Sequence, residues 1–212
     1  ASGTEALYSN TTGSSNVAQG RHALFSNTTG QVNTAIGYQA LYSNTTASDN
    51  DAHGYRALYS NTTGTFNVGM GGQSLYDNTT GGNNTALGYS ALANNTTASN
   101  NTAVGFKAGH SNTTGDLNVF AGEAAGVANT TGARNTFIGA GAAPSNVDGS
   151  YNTIVGGRGS DNYNAFNNNT SGNNNTGFGA QVLARNTSGS ENTAVGLGAL
   201  YYNTTSSSNT AI

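Results

Sequence analysis

The chain has 212 residues, 31 of them glycine, and only 7% of its residues are charged. A typical globular protein has about a quarter charged residues, so this composition argues against a helical or α/β core. The net charge of −3 is small and dispersed, which excludes the basic surface expected of a partner of nucleic acid or anionic membranes. There is no cysteine for disulfides or thiol chemistry and no apolar run long enough to insert into a membrane.

The predicted elements are copies of one repeat, for which residues 33–49 serve as the reference. An asparagine opens the repeat at position one and recurs at every 17th residue from Asn16 to Asn152. The next copy begins 23 residues later, and the spacing of 17 then resumes. We therefore predict one continuous array over residues 1–212, with a six-residue insertion in the coil 152–174. Because the chain starts and ends inside a repeat, we expect a segment of a longer array.

Glycine occupies position five of every copy, which indicates a backbone with positive φ or the close approach of a neighbouring coil. These predicted turn glycines are Gly3, Gly20, Gly37, Gly54, Gly71, Gly88, Gly105, Gly122, Gly139, Gly156, Gly179 and Gly196. Position fifteen is also mostly glycine, with Ala47, Ala98 and Ser206 as exceptions. Each coil is therefore predicted to contain two turns.

Two short stretches of β-forming residues lie between these turns, one before the position-five glycine and one over positions eight to fourteen. Helices are disfavoured because glycine and β-branched threonine recur too often to leave a helical stripe. A period near 17 residues with two strands and two turns is typical of a solenoid coil that stacks through parallel strand pairing. The predicted fold is an all-β parallel β-solenoid, of the β-roll or β-helix kind.

Strand alternation predicts which side chains face the interior. Position four, Ile36 in the reference copy, and position nine, Leu41, are the predicted interior columns. Positions three, eight and ten are also apolar, as in Ala35, Ala40 and Tyr42. Two apolar faces on one thin coil predict a second buried surface between chains, so we expect a homo-oligomer or a bundled filament.

Copies such as 84–92 and 192–200 resemble the Asn-Ser-Val-Ala-Ile-Gly-x-x-Ala head repeats of YadA-type trimeric autotransporter adhesins. They are also similar to repeat arrays in phage-like tail fibres and in microbial surface proteins. The resemblance covers nearly the whole chain. It implies a left-handed parallel β-roll, three chains side by side, and a rigid extracellular stalk or adhesive head. The present repeat is longer and adds an Asn-Thr-Thr block to each coil.

The Asn-Thr-Thr block places an N-x-Ser/Thr sequon at position twelve of most coils, which makes the chain a candidate glycoprotein. The candidate glycosylation sites are Asn10, Asn27, Asn44, Asn61, Asn78, Asn95, Asn112, Asn129, Asn169, Asn186 and Asn203. The alternative is that these amides hydrogen-bond to one another up the column as a ladder. Sugars repeated about every 4.8 Å along one face would crowd one another, which favours the ladder at part of the sites.

The paired threonines that follow most of the sequon asparagines, such as Thr45 and Thr46, suggest a second surface function. Hydroxyls in rows on a flat solenoid face are what ice-binding β-solenoids present. The alternative is that threonine simply suits exposed strands.

The irregular coil contains a match to the calcium-binding nonapeptide G-G-x-G-x-D-x-U-x over residues 156–164, with Asp161 as the candidate ligand. Successive copies sandwich calcium in such β-rolls, and this copy is solitary. Glycine, aspartate and asparagine are also ordinary turn residues. A loop projecting from the rod is therefore the preferred interpretation, and we expect no metal or other cofactor.

Catalytic residues are not indicated by the sequence. His22, His53 and His110 fall in three different columns, and the acidic residues form no pair suited to acid/base chemistry. His53 lies in the position-four column, where we expect a neutral interior residue; three such imidazoles would form a metal or anion site if three chains met there. No nucleophile-elbow, phosphate-loop or zinc spacing is present. We therefore expect a protein that is not an enzyme.

The sequence predicts a structural subunit of an extracellular fibre, filament or surface stalk, whose partner is the chain itself as a homotrimer or filament. The first alternative is an adhesin head or tail-fibre module that binds surface glycans or a host receptor through the irregular coil. The second alternative is an ice-binding β-solenoid. All three hypotheses place the chain outside the cell, on a cell surface or on a virion fibre.

Overall fold

The computed structural model describes residues 1–159 and 163–212. It confirms the all-β solenoid: twelve strands form one parallel sheet in sequence order, about 50 Å long at the usual strand spacing. No helix occurs among the described residues. The strands are β1 Val17–Gln19, β2 Thr34–Ile36, β3 Asp51–His53, β4 Val68–Met70, β5 Thr85–Leu87, β6 Thr102–Val104, β7 Val119–Ala121, β8 Thr136–Ile138, β9 Thr153–Val155, β10 Thr176–Phe178, β11 Thr193–Val195 and β12 Thr210–Ala211.

Each strand pairs in register with the equivalent strand of the next coil, as Thr34 does with Asp51. β9 and β10 keep this register across the 23-residue coil. An antiparallel bridge between Arg158 and Asn164 joins the two described arms of the irregular coil, residues 157–159 and 163–165, which we call the hairpin. The parallel sheet is therefore continuous from β9 to β10 across the irregular coil.

The position-five glycines bring adjacent coils closer together than side chains allow. Eleven of the twelve have φ between +119° and +141°, the exception being Gly156 before the hairpin. A Cβ atom on Gly37 would lie 2.4 Å from the carbonyl oxygen of Gly54 in the next coil. Both properties expected from the sequence, positive φ and close approach, are present at this turn.

Three other positions place non-glycine residues in the left-handed region in most coils, and the sequence does not predict them. They are positions seven, nine and seventeen, represented by Gln39, Leu41 and Asp49 with φ of 56°, 51° and 60°. This conformation costs about 1–2 kcal/mol for a residue with a Cβ atom. The cost is offset because each amide then donates to another coil, as Leu41 N does to Ala57 O at 3.0 Å and Gln39 N does to Arg21 O at 3.0 Å.

The apolar interior of the solenoid consists of positions three, eight and nine. Leu41 is fully buried, as predicted, and so are Ala35 and Ala40, which therefore face the core and not a neighbouring chain. The prediction for position four is wrong, because Ile36 is only half-buried and its equivalent Leu87 is 48% exposed. Each strand is centred on position three, so positions two and four both point outward.

Core volume is shared between adjacent coils. Where position nine is leucine, position three of the following coil is alanine or glycine. Where position nine is Gly109 or Gly126, the following coil supplies Phe120 or Phe137 instead, and both rings are fully buried. A Cβ atom on Gly109 would lie 2.4 Å from Cδ2 of Phe120. The phenylalanine ring therefore occupies the space that leucine fills elsewhere, as close packing of the interior requires.

Restoring the common core pair tests this compensation. We expect Gly109→Leu to destabilise the protein because its side chain collides with the Phe120 ring, and Phe120→Ala to cost about 3–5 kcal/mol through the cavity it leaves. The double variant is expected to lose less than the sum, with a coupling energy of about 1–3 kcal/mol in urea unfolding. Gly109→Leu combined with Phe137→Ala is the matched control, and coupling of equal size in both pairs would contradict the assignment.

Candidate functional site

The sequon asparagines form a continuous hydrogen-bonded ladder inside the rod. Asn44 is fully buried, and its Nδ2 donates to Oδ1 of Asn27 in the preceding coil at 2.8 Å. The second Nδ2 hydrogen is donated to the carbonyl oxygen of Ala47 at 3.0 Å. The same pair of bonds recurs along the column, with only Asn10 and Asn203 in the terminal coils half-buried.

Asn146 shows that the ladder does not depend on the sequon. This residue is followed by Val147 and Asp148, so it is not a glycosylation acceptor. Its Nδ2 nevertheless donates to Asn129 Oδ1 at 2.8 Å, and the side chain is fully buried. Asparagine is thus needed at position twelve for its two-sided amide. The geometry favours the ladder over glycan attachment at the buried sequons.

A second asparagine ladder, at position one, is not predicted from the sequence. Asn33 Oδ1 accepts from the backbone nitrogen of Asn50 at 3.1 Å, and Asn50 Nδ2 donates to the carbonyl oxygen of Gly64 at 2.9 Å. The same carbonyl accepts from Asn61 Nδ2 at 2.9 Å. Both ladders therefore meet at position fifteen. The sequence signal of this ladder is the asparagine at position one, which by itself indicates only the period and register of the repeat.

Breaking one rung tests the structural role of the ladder. We expect Asn61→Ala to lower the free energy of unfolding by about 1–3 kcal/mol, because the Asn78 amide loses its buried acceptor. Asn61→Asp is expected to be at least as damaging, since it turns carboxylate oxygen toward the Gly64 carbonyl. Thr63→Ala, exposed in the same coil, is the control and should stay within about 0.5 kcal/mol. Equal losses in all three variants would contradict the ladder's importance.

Glycan occupancy is measurable on the folded protein. Attachment at Asn78 would replace one Nδ2 hydrogen that is bonded to Asn61 Oδ1 at 2.8 Å or to Gly81 O at 2.9 Å, in a space where the side chain has no exposed surface. We therefore expect folded protein from an N-glycosylating host to carry no sugar at the fully buried sequons. Intact mass before and after glycosidase treatment checks this, and occupancy at Asn78 in a folded rod would contradict it.

The threonine pairs present fewer free hydroxyls than the sequence suggests. The first threonine of each pair donates to a backbone oxygen of the next coil, as Thr28 Oγ1 does to Thr45 O at 3.1 Å. The second threonine, such as Thr46, is exposed. One outward hydroxyl per coil therefore remains on this face, instead of the two that the ice-binding hypothesis uses.

The histidines do not lie where the sequence predicts. His53 is not an interior residue: its side chain is 40% exposed, and its Nε2 lies 2.8 Å from Asp51 Oδ1 on the same strand. His22 lies 2.7 Å from Glu5 of the preceding coil. Over residues 1–159 and 163–212, no group of three histidine, aspartate or glutamate side chains is placed to hold a metal ion. The calcium candidate Asp161 lies outside the described residues.

An aromatic column runs along one side of the rod at position ten. Tyr8, Phe25, Tyr42, Tyr59 and Tyr76 stack on one another in successive coils, with centroids 5.1–5.2 Å apart and planes within 9° of parallel. The rings from Phe25 onward are half-buried. Position ten therefore packs along its own rod, which differs from the expected contact with a neighbouring chain.

The column is interrupted by one coil. After Tyr76, position ten is Ala93, and the next coil places His110 at the equivalent position. Position seven of the same coil is also small, Ser90, so one coil has two small side chains on this face. A cavity of about 250 Å³ results, lined by Gln73, Tyr76, Asp77, Ser90, Ala93, Asn94 and His110. We call this cavity the column gap.

The polar groups of the column gap are held by the rod. Tyr89 Oη donates to Gln73 Oε1 at 2.8 Å, which fixes the plane of the Gln73 amide. The backbone of Asp77 donates to Ala93 O at 2.8 Å, and that of Asn94 donates to His110 O at 3.0 Å. The lining residues are thus attached to three successive coils whose spacing is set by backbone bonds.

Burial shifts the pKa values of the two titratable residues that line the column gap, Asp77 and His110. Desolvation raises the pKa of the Asp77 carboxyl, and the nearby His110 partly opposes that shift. Desolvation, together with Lys107, lowers the pKa of His110, while Asp77 opposes it. Among the described residues no ion pair within 4.0 Å joins the two. The lowered pKa of His110 favours its neutral imidazole form.

The hairpin of the irregular coil has a different surface. Arg185 Cζ lies 5.5 Å from the ring of Tyr163, 5.6 Å from that of Tyr201 and 5.2 Å from that of Tyr202. The guanidinium therefore fills the space between these rings by cation–π contacts. Tyr163 of the hairpin therefore packs against Arg185, which also contacts Tyr201 and Tyr202 of the following coil.

Comparisons with protein-family models, with curated proteins and with solved structures each found no match. Within the described part of the chain, no helix is long and apolar enough to cross a membrane. Function is therefore argued from the geometry of the rod, its outer face and the column gap.

Proposed function

We propose that this chain is a structural subunit of an extracellular fibre, filament or surface stalk, assembled with further copies of itself. The observation that carries the proposal is an apolar row at position four on the outer face of the sheet. Leu87, Val104 and Phe178 in this row are 48%, 40% and 43% exposed. We call it the outer apolar row; its members are Ile36, Met70, Leu87, Val104, Ile138, Val155, Phe178 and Val195.

The outer apolar row suits lateral contact between rods. Its side chains repeat at the strand spacing of about 4.8 Å along a single sheet, so a second copy of the same repeat presents matching spacing. His53 and the smaller Ala121 interrupt the row, and exposed apolar surface of the kind that the other coils present is typical of association sites. The threonines at position two, such as Thr85 and Thr102, border the row and are exposed. Burial of the row would join rods side by side in a homotrimer or a bundle.

Stiffness follows from the bonds within each rod. Every coil is joined to the next by strand pairing, by two asparagine ladders and by the left-handed amides described above. Each contact connects only neighbouring coils, as in other solenoids, so length is added without changing the cross-section. This supports a mechanical role in which the rod holds other parts at a distance from a cell or virion surface.

Assembly is tested by sedimentation and electron microscopy of the purified chain. We expect particles larger than the 21.3 kDa monomer and rods in images. The variant Leu87→Lys with Val104→Lys is expected to shift the protein toward monomer, because two charges would be buried at the contact. Thr97→Lys with Thr114→Lys is the matched control: both residues are exposed in the same coils but on another side. A wild-type monomer at all concentrations would contradict the proposal.

A binding module, as in an adhesin head or tail fibre, is the second candidate, and the column gap is the observation that favours it. The sequence predicts that the irregular coil determines binding specificity, but Tyr163 of its hairpin packs against Arg185. Ice binding has less support because one hydroxyl of each threonine pair, such as Thr62 Oγ1, donates to a backbone carbonyl.

A further inference from the structure

We propose that the column gap is a binding site for one neutral pyranose ring of a carbohydrate, seated between Tyr76 and His110. This inference does not depend on the proposed assembly, since every residue of the site belongs to one chain. It rests on the size of the interruption in the aromatic column, on the polar groups around it, and on the sign of their charge.

The gap has the thickness of a sugar ring. Neighbouring rings of the column are 5.2 Å apart at Tyr59 and Tyr76, so the two coil steps from Tyr76 to the His110 position make about 10 Å. A planar ring with van der Waals contacts of about 3.5 Å on each side needs only about 7 Å. A puckered pyranose chair, whose axial hydrogens keep each neighbouring ring about 4–4.5 Å from its mean plane, needs about 8–9 Å. The spacing therefore favours the chair over a planar ligand.

The small residues of one coil create this space. Ser90 and Ala93 are both buried, and the corresponding positions of the coil before are Gln73 and Tyr76. At position ten, Ala93 lies between Tyr76 and His110, and the next residue of the column is Val127. The coil of Ala93 therefore has an aromatic residue on each side of its gap. A cavity of about 250 Å³ is smaller than the roughly 300–1,000 Å³ that drug-sized ligands occupy, which agrees with a single ring.

The polar lining matches hydroxyl groups. The Asp77 carboxyl accepts hydrogen bonds, the amides of Gln73 and Asn94 both donate and accept, and the Ser90 hydroxyl does either. Such a set satisfies adjacent hydroxyls that each donate and accept, while the ring of Tyr76 covers the apolar C–H face. Of the seven described residues that line the gap, one is acidic, Asp77, and none is lysine or arginine. This lining disfavours phosphate and other anions and favours an uncharged sugar.

The test uses three probes that differ in axial and equatorial hydroxyls: methyl β-glucopyranoside, methyl β-galactopyranoside and methyl α-mannopyranoside. Each is titrated into the full chain and followed by saturation-transfer NMR and calorimetry. A ligand of this size should bind with a Kd on the order of millimolar. Benzyl alcohol serves as the planar probe. We expect at least one glycoside to bind and benzyl alcohol not to compete with it.

Ala93→Tyr is the decisive variant, because it continues the aromatic column into the gap as Tyr59 and Tyr76 do in their own coils. We expect binding to weaken at least tenfold while the Tm stays equal or rises. Asp77→Asn keeps the shape of the site and is expected to weaken binding about fivefold or more. Tyr42→Ala, in the same column but away from the gap, is the matched control and should bind as the wild type does.

Each possible result of these experiments either supports or overturns the proposed sugar site. Lack of binding by all three glycosides, or binding that survives Ala93→Tyr, overturns the site. Preference for benzyl alcohol overturns the ligand class. If Ala93→Tyr does not fold, Asp77→Asn and Tyr42→Ala decide between the gap and the rest of the column. Sedimentation of the same samples reports assembly separately, so failure of the sugar site is distinguishable from failure of the fibre proposal.

Discussion

Hydrogen bonds between adjacent coils are the interaction on which the rest of this structure depends. A single coil is too thin to satisfy its own backbone or to bury its asparagines. Stacking supplies an acceptor for each Nδ2 group, such as Asn44 on Asn27, and for each strand amide. Buried amides that are fully paired stabilise one register strongly, because a slip leaves them unsatisfied in a medium of low dielectric constant. The ladders therefore set the coil spacing that the turns, core and surface share.

Within that fixed spacing, the core is adjusted between neighbours. Leucine at position nine goes with alanine or glycine at position three of the next coil, and Gly109 goes with Phe120. Phe166 before Gly177 follows the same rule after the insertion. Each coil contacts only its two neighbours, so a change in one side chain is balanced within one coil step. A repeat array can accumulate such exchanges while its outline remains constant.

The surface of the rod has positions that repeat in most coils and positions that change in a single coil. Regular positions, such as the outer apolar row and the aromatic column, give uniform faces suited to association and rigidity. Irregular positions change the surface locally, and the pair of small residues Ser90 and Ala93 opens the cavity of the column gap. The hairpin is conspicuous in the sequence because it breaks the period. The column gap keeps the period and is visible only when position seven and position ten are seen on the same face.

The repeat period, the two turns per coil, the parallel β-solenoid and the leucine column were all available from the sequence, because periodic glycine and apolar residues impose them locally. The inward position of the first strand was not, since positions three and four are both apolar and alternation alone cannot choose between Ala35 and Ile36. Tertiary structure decided that choice, the left-handed backbone at Leu41 and the second asparagine ladder. The physical reason is common to all three: each is determined by bonds and packing to the neighbouring coil, which act across 17 residues and which the residue pattern within one coil does not specify.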